Sequence, residues 1–509
     1  SQKAVIKAEE AGKPIMEYLD SMAESHKEVW DYFGISYTDF IRTTSERHHE
    51  VVQNVLQKCF DKGDVYEGEY EGMYCVGCES FKKDEDLVFM NKTTKDTFPI
   101  KKGVKETDNI CKVCPDHLKT PDSIKEKNYF FKLTKYQTWI EEFYENNPDF
   151  VQPDFRFNEV KAFVKRGLED FSISRETNTF GIALPFDENQ VTYVWFDALF
   201  NYYTSCKKSL NQETEDYVDE SKIFWEASDD NKREILHVVG KDIIRFHAIF
   251  WPAMLASYFD LGKEIDGVLR YQKSDNNFLP NKILAGGYFT IDGQKMSKTI
   301  GNVIEPIEYA EKYGKDLLSL YMLSAFHIGN DGDYDRIEAI KNYNAKLANN
   351  FGNLVNRVVV LTLRLEEYKN LEKTLDGSIA EEIQKYQQEA SDSMKKYDLK
   401  NTLDSTFFFL DKLNKYADVT EPWKMIKDTD QDGKTAEVLY TLAEGVRQVG
   451  LNLYAFFPEK MCELFIKLGC ENYPEQLENG KLKVLQEKTE IFHITEKGEA
   501  LFSRIDLDK

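Results

Sequence analysis

Two Cys-x-x-Cys turns, Cys75-Val76-Gly77-Cys78 and Cys111-Lys112-Val113-Cys114, constrain this chain's fold more than any other feature, with 32 residues between them. Such a turn sets two sulfurs on one side of a tight bend, so the pair offers four thiolates to one tetrahedral ion at about 2.3 Å. Zinc is the expected occupant. Four protein ligands leave no position for water, so the site is expected to stabilise a small domain and to perform no hydrolysis. Redox use of the pairs is less favoured by their number and spacing. His117 is expected to face solvent, and Cys59, Cys206, Cys462 and Cys470 read as ordinary buried thiols.

A chain of 509 residues is too long for a single core, which points to about two to four domains. The formal charge of −23 argues against a nucleic-acid partner, but only weakly, because an acidic protein can be basic where it binds a polyanion. No run of about 18 apolar residues could span a bilayer, and Ser1-Gln2-Lys3 opens no secretory signal. A soluble, cytoplasmic, monomeric protein with reduced thiols and no membrane partner is expected.

Residues 1–63 read as helices broken near Gly12-Pro14, with a strong helical period from Ser45 to Phe60. From Asp64 aromatic and glycine residues alternate, which predicts strands that enter the knuckle and leave through Asn128-Tyr129-Phe130-Phe131. A helix follows near Tyr136 to Asn146. Val191-Thr192-Tyr193-Val194-Trp195-Phe196 and Ile235-Leu236-His237-Val238-Val239-Gly240 read as parallel strands whose carboxyl ends feed a ligand site. After Asp242, Ile243, His247 and Trp251 are spaced by four and share a helix face, in a ligand wall or in a helix packed on the sheet. From Asp335 the chain reads as nearly all helix, with a capping box at Asp335 and Glu338 and a capped start with an early proline at Thr420-Glu421-Pro422-Trp423.

Between these regions runs Gly293-Gln294-Lys295-Met296-Ser297-Lys298-Thr299, flanked by Gly286, Gly287 and Gly301. Lysine ammonium groups are mobile point charges that can follow a triphosphate as charge moves onto its leaving pyrophosphate. The plainer reading is a solvated lysine loop.

The loop Lys295-Met296-Ser297-Lys298 resembles the second signature of class I aminoacyl-tRNA synthetases, and its companions narrow the likeness to the methionyl-tRNA synthetases. Those companions are Tyr193-Val194-Trp195-Phe196-Asp197-Ala198-Leu199 with Tyr202, Gly240-Lys241-Asp242-Ile243-Ile244-Arg245-Phe246-His247 with Trp251-Pro252, and the paired cysteines. Asn353, Arg357, Pro422 and Trp423 add the anticodon-reading positions, and the similarity runs to Leu501-Phe502-Ser503-Arg504-Ile505. The resemblance implies an α/β protein: a Rossmann-type parallel-sheet catalytic domain in two parts, 1–63 and 185–270, around a connective insertion with the zinc knuckle at 64–184. A stem-contact region with the lysine loop follows at 271–334, then an all-α helical-bundle anticodon-binding domain at 335–509.

It further implies methionine, ATP and tRNA(Met) as partners, structural Zn²⁺ on Cys75, Cys78, Cys111 and Cys114, and Mg²⁺ with ATP. Lys295 and Lys298 take the catalytic role. ATP is bound by Gly240, Asp242, Lys295, Met296, Ser297 and Lys298, and methionine by Trp195, Ala198, Tyr202, Phe246, His247 and Trp251. Asn353, Arg357, Pro422 and Trp423 meet the anticodon, with a core anchor the lesser reading of Trp423 taken alone. A flexible thioether offers little to hydrogen-bond, so a pocket selects it by shape and by sulfur–aromatic contact, which these side chains supply. The family's first signature, His-Ile-Gly-His, is not among these residues, and the resemblance places it before Ser1. The alternative reading is therefore a catalytically incomplete, synthetase-derived tRNA-binding protein. Leu269 to Asn281 is longer than the family's usual link to the lysine loop. The synthetases for leucine, valine and isoleucine carry a large editing domain for which 64–184 is too short, and four closed cysteines argue against the cysteine enzyme.

Overall fold

The computed structural model describes residues 2–75, 80–82, 84–100, 105–115, 118–176, 180–211, 216–228, 231–296, 302–365, 370–371 and 375–507. The chain divides into two compact units, 1–285 and 286–509. No helix among the described residues is long and apolar enough to cross a membrane.

The first unit opens with helices Gln2–Glu10 and Ile15–Tyr32, separated by Gly12 in the left-handed region at φ 65° and by Pro14. Helix Glu46–Asp61 follows and buries Val51, Val52, Val55, Leu56 and Cys59, the face set by its helical period. Strand Val65–Cys75 then pairs antiparallel with Asp122–Phe131 in a long ribbon. The aromatic and glycine alternation has a local cause: a Cβ at Gly68 would lie 3.2 Å from the Phe130 ring, which leans across it against Tyr66. At the ribbon's root the buried Asp64 carboxylate accepts from Lys135 Nζ at 2.6 Å, Tyr136 Oη at 2.7 Å and Ser257 Oγ at 2.8 Å. One buried acceptor thus fixes where the insertion leaves the core.

Strand Leu236–Gly240 lies beside Lys282–Gly286, which pairs in parallel with Val151–Gln152. A strand is found at 236–240, as expected, but not over 191–196. The strand there is Asp187–Thr192, antiparallel to Ala183–Leu184 and Ser174–Arg175, and Val194–Leu199 is a short helix. Phe196, Leu199, Phe200 and Tyr203 are all buried, and a spacing of three and four reaches one core face only in a helix.

The second unit begins with a hairpin of Phe289–Ile291 and Gln294–Lys295, and the rest is mainly helical. Asp335 caps helix Arg336–Tyr343 by accepting from the Ile337 and Glu338 backbone N–H groups. This helix continues through a wide π-helical stretch, Asn344–Gly352, into Asn353–Thr362. Around the central helix Asp432–Leu453 pack Gly377–Met394 and Leu399–Thr420. The buried Arg447 guanidinium pairs with Glu444 and donates to Tyr473 Oη at 2.9 Å and the Leu485 carbonyl at 2.6 Å, closing the bundle onto its last helices.

The thiol expectation holds in part. Cys59 and Cys470 are buried, and burial pushes each up to about 12, whereas Cys206 and Cys462 are partly exposed because their helices turn them toward the surface.

Candidate active site and anticodon face

Helices Val194–Leu199 and Asn201–Lys207 bring Trp195 and Tyr202 to the segment after strand Leu236–Gly240. Trp195 stacks on Phe246 with ring centroids 3.9 Å apart and planes 7° from parallel. The Tyr202 hydroxyl lies 2.9 Å from His247 Nε2, and His247 Nδ1 lies 3.0 Å from the Ile243 carbonyl. A carbonyl only accepts, so Nδ1 carries the hydrogen and Nε2 accepts from the Tyr202 O–H. Residues Phe246–Phe250 form a π-helical turn, so His247 and Trp251 are not stacked as spacing by four predicts. They meet instead through a residue the sequence reading did not single out. His237, inside the strand, accepts from the Trp251 indole N–H at 3.1 Å and packs its ring 4.2 Å from Tyr202.

The cluster therefore spends the Tyr202 hydroxyl and the Trp251 indole N–H on its own histidines. Its faces and edges remain, which suit a polarizable apolar group better than a hydrogen-bonding one. Trp251 is fully buried, whereas Trp195, Tyr202 and Phe246 are partly exposed; Ala198, also partly exposed, accepts at its carbonyl from the Asn201 side chain. The open cleft beside helix Gln137–Asn146, lined by Glu142, Glu145, Arg270 and Tyr271, shares no residue with this group.

Burial disfavours the charged imidazole, holding His247 below its usual range and His237 near about 3. Between that value and the unfolded value of 6.5 the unfolded chain binds a proton that folded His237 refuses, so the stabilisation present above pH 6.5 is lost as pH falls. Urea denaturation is expected to show stability falling by about 1.4 kcal/mol per pH unit per histidine below that point. His237→Gln should flatten the slope; an unchanged slope would assign it elsewhere.

At the strand's carboxyl end a Cβ on Gly240 would come 2.5 Å from Asp242 Oδ1, so the aspartate folds back over a residue with no side chain. Asp242 itself is exposed at the crevice where open α/β sheets bind ligands.

In the second unit, Asp292 and Gly293 both have positive φ, 52° and 70°, the conformation of a tight hairpin turn. Asp333 Oδ1 accepts from the Gly293 N–H at 2.8 Å and the Thr290 hydroxyl at 2.7 Å, and these bonds hold its carboxyl below the usual range. Gly287 is required at the hairpin's base, since a Cβ there would lie 2.0 Å from the Asn330 carbonyl oxygen. Lys295 closes the second strand and Met296 follows it, while Ser297 and Lys298 lie outside the described residues.

Asn353 and Arg357 are exposed on one side of helix Asn353–Thr362. The Arg357 guanidinium lies 5.8 Å from the centre of the Trp423 ring and 3.5 Å from Asp418 Oδ1. Pro422, buried, opens the short helix Pro422–Met425. Thr420 does not cap it: its hydroxyl turns back to the Tyr416 carbonyl at 2.8 Å, and the junction is made by Glu421 in the left-handed region at φ 49°.

Cys75 ends the ribbon strand opposite Ser80, and Cys111 lies opposite Met90 in a small sheet with Cys114 just beyond it. Cys78 and His117 lie outside the described residues. Among the described residues no group of three or more His, Cys, Asp or Glu side chains is gathered to hold a metal.

Residues 1–359 match the family described as tRNA synthetases class I (M). This match and the mixed α/β unit with its helical companion define a class I aminoacyl-tRNA synthetase. The chain is 36% identical to the methionine–tRNA ligase of Caldanaerobacter subterraneus subsp. tengcongensis over 99% of its length and 71% of that protein's. It is 34% identical to the Thermotoga maritima methionine–tRNA ligase over 99% of its length and 72% of that protein's. The Mycobacterium tuberculosis methionyl-tRNA synthetase in complex with methionyl-adenylate superposes with a TM-score of 0.82 at 27% identity, covering 99% of this chain and 90% of that one. The chain belongs to the methionyl-tRNA synthetase family.

Proposed function

We propose that this chain is a methionine–tRNA ligase in which Trp195, Ala198, Tyr202, Phe246, His247 and Trp251 receive the methionine side chain. The observation that carries the reading is the aromatic cluster after strand Leu236–Gly240, in which the Tyr202 hydroxyl is spent on His247 and the Trp251 indole N–H on His237. A side chain that needed a hydrogen bond would find few partners there, whereas a thioether loses little.

In the reaction a methionine carboxylate oxygen bonds to the α-phosphorus of ATP as the bond to the β-phosphate bridging oxygen breaks, giving methionyl-adenylate and pyrophosphate. A hydroxyl of the terminal adenosine of tRNA then attacks the acyl carbon and AMP leaves. The work is positioning and charge stabilisation. Asp242, beside Gly240, is suited to hydrogen-bond the ribose. Lys295 and Lys298, with Met296 and Ser297 as backbone, meet the phosphates that Mg²⁺ accompanies. Amino-acid-dependent exchange of labelled pyrophosphate into ATP by the full-length protein tests this. Exchange with methionine and not with leucine or cysteine is expected; the reverse specificity would sink the assignment.

Asn353, Arg357, Pro422 and Trp423 are assigned to the anticodon: Trp423 offers a stacking face and Arg357 and Asn353 offer hydrogen bonds to a base edge, as single-stranded loops require. Cys75, Cys78, Cys111 and Cys114 are assigned to structural zinc on the chemistry of the donor set, two paired thiols in each of two turns. Elemental analysis of the purified protein should find one zinc per chain, lost in Cys111→Ser; full zinc in that variant would overturn the assignment.

A further inference from the structure

Arg233 spends its guanidinium on neutral acceptors. Its Nε donates to the Trp225 carbonyl at 2.6 Å, Nη1 to Asn281 Oδ1 at 2.6 Å, and Nη2 to the carbonyls of Leu279 at 2.8 Å, Asn277 at 3.0 Å and Asn276 at 3.4 Å. Among the described residues no carboxylate forms a salt bridge with it. Five donors in a rigid fork suit such a task, because they can tie several strands of backbone at once.

What Arg233 ties together leads to the aromatic cluster by two routes. Asn281 Oδ1 also accepts from the Ile235 N–H at 2.8 Å, and this fixes the entry to the strand that carries His237. Trp225 is almost fully buried, donates its indole N–H to the Phe278 carbonyl at 3.2 Å, and meets Trp251 edge-on with ring centroids 5.6 Å apart. Trp251 in turn holds His237, on which Tyr202 packs. Both ends of the chain of contacts from Arg233 thus arrive at His237. The segment it gathers, 276–281, belongs to the long link noted between Leu269 and Asn281.

We infer that Arg233 is a positioning residue for the methionine pocket, fixing the long link and Trp225 so that Trp251 and His237 stand correctly behind Tyr202. The inference rests on the assignment of methionine to the Trp195 and Tyr202 cluster. Arg233 touches none of the proposed substrates. Its loss should let Trp225 and Trp251 shift together, which weakens methionine binding without altering the ATP side.

The test compares Arg233→Met, Arg233→Lys and Trp195→Ala in the full-length protein by pyrophosphate exchange, with thermal denaturation alongside. Arg233→Met is expected to raise KM for methionine on the order of tenfold, with KM for ATP changed less than about twofold. Arg233→Lys, which can satisfy only some of the five acceptors, should fall between Arg233→Met and the unaltered protein. If Arg233→Met does not fold, the same split in Arg233→Lys decides. A raised KM for methionine in Trp195→Ala but an unchanged one in both Arg233 variants overturns the positioning role alone. An unchanged value in Trp195→Ala as well overturns the pocket assignment and this inference with it. Equal losses toward methionine and ATP would show that Arg233 serves only to hold the fold.

Discussion

Lys298→Ala is expected to slow methionyl-adenylate formation on the order of 10²–10³-fold while KM for methionine moves less than about threefold. The argument starts from where charge appears. As the bond to the β-phosphate breaks, negative charge grows on pyrophosphate, far from the methionine side chain, and an ammonium group placed there acts mainly in the transition state. The hairpin that precedes Lys298 in sequence is closely held: the Asp292-Gly293 turn reverses the chain, Asp333 holds that turn through the Gly293 N–H and Thr290, and Gly287 allows the close approach of the Asn330 carbonyl. Arginine should not replace Lys298 fully, because its planar fork cannot follow a moving charge as a compact ammonium does. Single-turnover measurement of adenylate formation, with methionine titrated separately, checks this. A matched loss in rate and in methionine affinity would place Lys298 in ground-state binding and end the proposed role.

The parts of this chain that were legible in its sequence are those whose cause is local. The period of Ser45 to Phe60, the break at Gly12-Pro14 and the Asp335 side-chain cap all reappear in the fold, because spacing and capping act within a few residues, whereas the reciprocal half of the capping box does not, the Asp335 N–H donating to Tyr321 Oη at 3.2 Å. The ribbon from Val65 was legible from its alternating aromatic and glycine residues, although the contact that Gly68 makes room for, with Phe130, lies across the ribbon. Val191 to Phe196 was misread because a short apolar run carries no period of its own. Its partners, Ala183–Leu184 just before the strand and the more distant Ser174–Arg175, decide where the strand stops. Both π-helical turns were invisible, since spacing by four at Ile243, His247 and Trp251 fits an ordinary helix equally well. His237 escaped notice as one more residue of a strand: only the fold brings it to Trp251 and Tyr202. Arg233 is the extreme case, with hydrogen-bond partners up to 48 residues away. Trp195 and Phe246, and Tyr202 with His247 and Trp251, which the family likeness singles out, lie together in aromatic contact, but their hydrogen bonds depend on contacts that only the fold makes.

Trp423→Ala is expected to lower kcat/KM for tRNA(Met) on the order of ten- to a hundredfold, the equivalent of roughly 1–3 kcal/mol for one stacked base, with methionine-dependent pyrophosphate exchange unchanged. Two structural facts set the size. Trp423 is only partly buried against the helical core, and Arg357 stands 5.8 Å from its ring centre, where a cation reinforces stacking. Without the indole, Arg357 keeps its neighbour Asp418 at 3.5 Å and would be drawn toward that carboxylate, away from a base. Trp423→Phe keeps a smaller face and should recover part of the loss. The competing role, an anchor for the bundle, makes a different forecast. Pro422 is buried beside it, so a Trp423 that mattered only for packing would lower the melting temperature and weaken tRNA binding only in step with that loss. Aminoacylation measured well below the melting transition separates the two. Full activity there would return Trp423 to the core, whereas a tRNA-specific defect with exchange intact places it on the anticodon.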